Sequence, residues 1–404
     1  MAKSKDFLML HKYNNKTKKM VKLQKLFLKY LKMLKNLIHM NINKRRIMNN
    51  FKKIGLSALA GSLTMFSANA VEYAVSGDAQ VVWSTAQGNE AGAAGSNGKG
   101  IGVDTDLYFN ASGELDNGFT VSVFTAIDME QSNTATAGGI NSSAQMTIGM
   151  GSLGTVQFND VFGSAATSID DVLPKAYEEV WDGTTHAAQS HSFGVSTQSG
   201  SVDYRTPAFS LGFGTTVSAA YTYDPNAGTG PASAGGVGGN SQSGNAYVVK
   251  VAHESGLTLG GGIEDVSASN SEAGAGNTGV ERATGYALYS NGPISVGYQE
   301  TYVNSARAYS STTTSTNEGA DFESDGFAIA YSAGNMSFSF AEVQEKMKQN
   351  SNTTAEVEVE MSAVQATYTM GAMTIGASMY ETDNPEGTTG TKYEETELSV
   401  SFAF

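Results

Sequence analysis

The sequence predicts an all-β fold: a transmembrane, antiparallel, up-and-down β-barrel of sixteen strands. Three observations lead there. Apolar residues recur with period two in segments of about ten residues, the length a tilted strand needs to cross a bilayer. The connections between segments alternate between tight turns and long Gly/Ser/Asn/Thr-rich links. The whole series follows an export signal.

Composition narrows the alternatives. The 404 residues include 46 Gly, 6 Pro, no Cys, 18 Tyr, 18 Phe and 2 Trp. Apart from one short N-terminal stretch, no apolar run approaches the ~20 residues of a membrane helix, which excludes a helical membrane protein. Residues 1–70 hold 16 of the 25 Lys and Arg and a single acid, Asp6, leaving nine basic against 38 acidic side chains in the rest. So acidic a body repels nucleic-acid phosphates, which a binding protein must neutralise with Lys and Arg; it concentrates cations instead.

The N-terminus reads as an address. From Met48, Lys52 and Lys53 form a basic start, Ile54 to Phe66 an apolar centre, and Ala68-Asn69-Ala70 a small-x-small cleavage site, the three parts of a secretory signal peptide. Residues 48–70 are therefore the signal, and the mature barrel is expected over 71–404. Residues 1–47, basic with Leu23, Leu26, Phe27, Leu31 and Leu34 at helical spacing, lie upstream of a complete signal and are expected to be absent from the mature protein. The lack of Cys agrees with export to an oxidising compartment.

In chain order the alternation predicts strands near 72–84, 102–112, 118–129, 142–150, 155–160, 199–206, 209–223, 245–254, 257–266, 282–290, 294–305, 322–332, 336–345, 357–370, 373–383 and 394–404. In the seventh, Phe209, Leu211, Phe213, Thr215, Val217, Ala219, Tyr221 and Tyr223 share one face, while Ser210, Gly212, Gly214, Thr216 and Ser218 share the other. Leu107 and Phe109, Val121 and Val123, Tyr247 and Val249, and Phe327, Ile329 and Tyr331 repeat the pattern. Tight turns fall at Asn117-Gly118, Gly151 to Gly154, Ser255-Gly256, Asn291-Gly292, Gly334-Asn335 and Gly371-Ala372, where Gly and Asn supply positive φ. One apolar and one small or polar face suit lipid outside and water inside, and closure satisfies every backbone hydrogen bond.

Residues 71–404 resemble the general porin family of Gram-negative bacteria. The likeness is carried by Val-Ser-Gly-Asp-Ala-Gln at 75–80, Gly-Ser-Leu-Gly-Thr-Val at 151–156, Val-Asp-Tyr-Arg-Thr-Pro-Ala-Phe at 202–209 and the C-terminal Phe404. It implies a homotrimer integral to outer-membrane lipid, with a third long loop folded inward to narrow the bore. It also implies a terminal aromatic strand, with Phe402 and Phe404, read by the barrel-assembly machinery. The expected function is passive diffusion of small hydrophilic solutes and ions, without cofactor or metal. Two other readings stay open: an outer-membrane barrel enzyme of lipase or protease type, and a secreted soluble β-rich binding protein.

The third long connection, 161–198, carries Asp170, Asp171, Glu178, Glu179 and Asp182. If it folds inward, as the resemblance implies, these acids set a negative field that favours cations; taken alone, the run also fits a solvated outer loop. Alternation turns Asp104, Asp106, Asp128, Arg205 and Lys250 toward the lumen, and Arg282 and Arg307 stand near loop ends. The family opposes its acidic loop with a basic wall, so this thin basic set departs from the pattern. Gly149-x-Gly151-x-x-Gly154 matches a dinucleotide-binding spacing, but no helix pattern follows and it reads as a turn. His186 and His191 read as solvated loop histidines, and residue order supports no nucleophile–His–acid grouping.

Overall fold

The computed structural model describes residues 72–88, 97–128, 141–160, 163–180, 193, 194, 197, 200–225, 243–267, 280–307, 318–349, 357–385 and 388–404. The expected signal peptide, the N-terminal extension, Asp182, His186 and His191 lie outside the described residues.

Seventeen strand segments form one antiparallel sheet: β1 (Glu72–Gly88), β2 (Gly98–Glu114), β3 (Thr120–Asp128), β4 (Asn141–Gly149), β5 (Thr155–Asp160), β6 (Ser201–Arg205), β7 (Phe209–Gly212), β8 (Thr215–Asp224), β9 (Gly244–His253), β10 (Leu257–Val266), β11 (Val280–Asn291), β12 (Ile294–Arg307), β13 (Glu318–Ala333), β14 (Met336–Gln349), β15 (Val357–Met370), β16 (Met373–Asp383) and β17 (Lys392–Ala403). β6 and β7 are two halves of one crossing, since both pair with β8. Pro207 lies at the break between them, where it has no N–H to give the ladder. Thr206 bridges the gap, donating its N–H to the Ala219 carbonyl and accepting the Ala219 N–H on Oγ1, both at 2.9 Å. The barrel thus has sixteen crossings, as the alternation predicts.

β17 returns to β1, in register from Asp78 opposite Ala403 to Gly88 opposite Tyr393. The seam ends in a reciprocal pair at 2.8 Å: Gly77 N–H donates to the Phe404 carbonyl, and Phe404 N–H to the Gly77 carbonyl. With no open edge, each backbone group in the ladder is satisfied within the sheet.

One predicted strand is wrong in kind. Residues 209–223 are not one strand but a hairpin, with Phe213 (φ 52°) and Gly214 (φ 72°) as its two-residue turn. Phe213 is 97 % exposed, so it caps the turn instead of continuing an apolar face.

The two faces of the sheet separate largely as alternation demands. Outward lie Val103, Phe109, Ile263, Phe327, Ile329, Phe338, Val364 and Leu398, all exposed; inward lie Asp203, Thr222, Glu264, Thr284, Gln299, Ser339, Gln365 and Ser399, all buried. Two regions depart from this. The inner face of β13–β16 is apolar, with Ala328, Ala341, Val343, Val359, Met361, Ala363 and Tyr380 buried against Leu173 and Val180 of the third connection. On the outer face of β12–β16, away from the tight turns, the apolar residues give way to acids: Glu300 opposes Asp325, and Glu360 opposes Asp383.

Candidate pore constriction

The third connection, between β5 and β6, packs along the inner face of the wall. It is anchored first by two buried carboxylates. Asp203 on β6 accepts the Ala165 N–H (2.7 Å), the Thr222 hydroxyl (2.6 Å) and Arg205 Nη2 (2.7 Å); Arg205 Nη2 also donates to the Gly163 carbonyl at 2.7 Å. Glu264 on β10 accepts the Gly194 N–H (3.1 Å), the Thr197 hydroxyl (3.0 Å) and Arg282 Nη1 (3.0 Å). One carboxylate therefore holds the outgoing limb and the other the returning limb.

Two glutamines hold the middle. Gln299 on β12 donates Nε2 to the carbonyls of Ile169 (3.0 Å) and Asp170 (2.8 Å) and accepts the Val172 N–H on Oε1 at 3.1 Å. Gln365 on β15 accepts the Tyr177 N–H (3.1 Å) and donates to the Glu178 carbonyl (2.6 Å). Between them Ser339 Oγ accepts the Ala176 N–H at 2.8 Å, and beyond them Gln80 on β1 donates to the Tyr177 hydroxyl at 2.9 Å. Each is an inward polar side chain bonded to a loop backbone group or hydroxyl, so buried polar atoms are satisfied on both sides. Close approach needs missing side chains. A Cβ at Gly297 would stand 2.5 Å from Pro174 Cδ, and one at Gly326 2.8 Å from Leu173 Cδ1.

The predicted acids take unequal parts. Asp170 turns its carboxylate to the Phe193 N–H. Burial pushes it up to about 8, with Glu179, Asp171 and Glu264 adding to the rise and the Phe193 N–H opposing it. Asp171 accepts the Leu173 N–H at 3.0 Å and Lys175 Nζ at 3.3 Å; burial carries it to about 6, against the pull of Lys175. Lys175 also bonds Glu179, and Glu178 accepts the Tyr380 hydroxyl at 3.3 Å. Lys175 stands inside the acidic run, and its spacing of four from both Asp171 and Glu179 is the sequence signal for this pairing. At neutral pH the loop is thus much less negative than its acid count suggests.

The wall is the more coherent negative surface. Asp106 on β2 stands opposite Asp78 on β1 and Asp128 on β3. Carboxylate oxygens of Asp104, Asp106 and Asp128 lie within 4.8 Å of one another, and the Tyr108 hydroxyl donates to Asp106 at 3.2 Å. This oxygen-only set has the hard-donor chemistry that calcium prefers, and also that of a charged bore lining. Lys250 is exposed on the inward parity of β9, opposite Gly260. Arg282, near the start of β11, pairs with Glu264. Phe402 faces outward and is exposed. The glycine motif at 149–154 is a short turn between β4 and β5. A Ser–His contact does exist, with His253 Nδ1 2.8 Å from Ser255 Oγ, but it lies in an exposed turn.

No family model matches the chain, and no curated protein matches it. Solved structures do. A porin structure refined at 1.8 Å is 16 % identical with TM-score 0.56, covering 82 % of this chain and 100 % of its own. The outer membrane channel DcaP of Acinetobacter baumannii is 12 % identical with TM-score 0.58, covering 83 % and 97 %. OmpF of Salmonella typhi, in complex with daunomycin, is 12 % identical with TM-score 0.57, covering 83 % and 98 %. At these identities the likeness concerns architecture, and the chain has the porin fold.

Proposed function

We propose that this chain is a porin of the outer membrane of a Gram-negative bacterium. It forms a water-filled channel through which small hydrophilic solutes and ions diffuse passively, with no cofactor and no enzymatic step. One observation carries the reading. A closed sheet turns exposed Phe, Ile, Val and Leu outward, and the third connection is bonded across its polar face from β6 to β1. A soluble β-sandwich buries its apolar face in a packed core, whereas a lipid-facing barrel with a bore narrowed from within leaves that face outward.

The chain assembles as a homotrimer, is delivered by the signal at 48–70, and presents its last strand, ending at Phe404, to the barrel-assembly machinery. Cation preference comes from Asp78, Asp104, Asp106 and Asp128 on the wall, with the loop acids secondary because Lys175, shared by Asp171 and Glu179, cancels one of their charges. Planar-bilayer recording across a KCl gradient tests this: three equal conductance steps per insertion and a reversal potential on the K⁺ side are expected. No conductance from folded protein contradicts the channel, and anion preference contradicts the filter. Purified barrel is expected to show no lipase or protease activity.

A further inference from the structure

On the outward face, where the apolar residues of β11–β13 end, the wall carries a groove of about 700 Å³, within the size range of small-molecule sites. Ala283 and Gly285 form its floor, and Tyr298, Glu300, Tyr302 and Asp325 its walls. Gly285 lies opposite Glu300, and a Cβ built on it meets nothing within 4 Å, so the space beside that carboxylate is open. Glu300 in turn lies opposite Asp325. Like charges facing each other across a ladder destabilise it. The other register neighbours of this pair are Gly285 and Gln344, so no basic side chain lies in line with either. Lys346, at the groove's edge, stands opposite Glu323 and reaches Glu358 at 3.7 Å. Tyr298 donates its hydroxyl to Glu300, and both tyrosine rings are exposed.

We propose that this groove binds the protonated amine of an amphiphile in the outer leaflet, a reading that rests on the outward face meeting lipid. Charge complementarity selects the occupant: two opposed carboxylates attract a cation, and two flanking rings add cation–π attraction that an ammonium bound to an alkyl chain uses fully. Position selects the amphiphile. Ile294 and Val296 lie on the same face of β12 before Glu300, so an alkyl chain runs along them while its head enters the groove. A phosphate is repelled by the same pair.

The test is isothermal titration of the full-length barrel in a neutral maltoside detergent with decylammonium, decyl sulfate and calcium chloride as separate probes. Saturable binding of one decylammonium per chain is expected, with no binding of decyl sulfate. Glu300→Gln with Asp325→Asn removes a repulsion, so it folds, and weakens decylammonium at least tenfold. Gly285→Leu fills the floor with charge unchanged and weakens it comparably. Equal binding by wild type and the double variant overturns the proposal, as does saturable calcium binding with none of the amine. Bilayer conductance of the same preparations separates the two readings: a conducting protein that ignores decylammonium sinks the groove and spares the channel.

Discussion

The ring of Tyr177 lies against the backbone of Gly376, so closely that a Cβ there would stand 2.7 Å from both Cδ2 and Cε2. The third connection therefore meets the wall closely at β16. Gly376→Val pushes Tyr177 off the wall. Overpacking of this kind costs roughly 1–3 kcal/mol, and single-channel conductance is expected to fall. Unchanged conductance together with unchanged thermal stability contradicts the contact.

Glu264 holds the returning limb and neutralises Arg282. Glu264→Ala leaves a largely buried guanidinium without this partner, and breaking buried pairs costs about 3–5 kcal/mol. Limited proteolysis is expected to cut the third connection of the variant while sparing that of wild type, and its channel currents become noisier. Glu264→Gln, which keeps one acceptor oxygen for the Gly194 N–H and turns its amide NH2 toward the Thr197 hydroxyl, is expected to be milder.

Selectivity separates wall from loop. Lys175→Met frees Asp171 and Glu179 and is expected to raise the K⁺ over Cl⁻ permeability ratio. Joint Asp104→Asn, Asp106→Asn and Asp128→Asn lowers it further than joint Asp171→Asn and Glu179→Gln does. Reversal potentials in a salt gradient read both, and a larger loss from the loop pair places the filter on the loop.

Asp170 and Asp171 ionise at about 8 and about 6 in the folded loop, against an ordinary 3.8. The folded loop thus keeps their protons at pH values where the unfolded chain has lost them. Their contribution to loop anchoring is full below 3.8 and is lost as pH rises through about 6 for Asp171 and about 8 for Asp170. Cation preference rises over the same window as charge appears. Asp170→Asn is expected to remove the upper part of that rise, measured as reversal potential between pH 5 and 9.

Alternation made the barrel legible because a sheet with lipid on one side and water on the other imposes period two on nearly every segment. It misled at Phe209–Tyr223 for a physical reason. The irregularity between Ser210 and Gly212 restores parity across the Phe213-Gly214 turn, leaving Phe209 opposite Val217, so the pattern runs on through a hairpin. The same rule put Asp104, Asp106 and Asp128 on one face, but their mutual proximity depends on the β2–β3 register, which local sequence does not state. Loop chemistry was the least legible. Asp170 is half-buried against Phe193, 23 residues on, and Gln299 and Gln365 grip the loop backbone through contacts more than 120 residues apart in the chain. The apolar inner face of β13–β16 exists because Leu173 and Val180 cover it.

One face of the sheet meets lipid, and the other meets water wherever the third connection does not cover it. The chain has no cysteine, so single cysteines report each face directly. Lys250→Cys and Val249→Cys are neighbours on β9 with opposite parity, both exposed. In liposomes, a charged, membrane-impermeant thiol reagent is expected to label the cysteine at 250 rapidly and that at 249 hardly at all. Equal labelling of both, or protection of 250 alone, contradicts the aqueous bore.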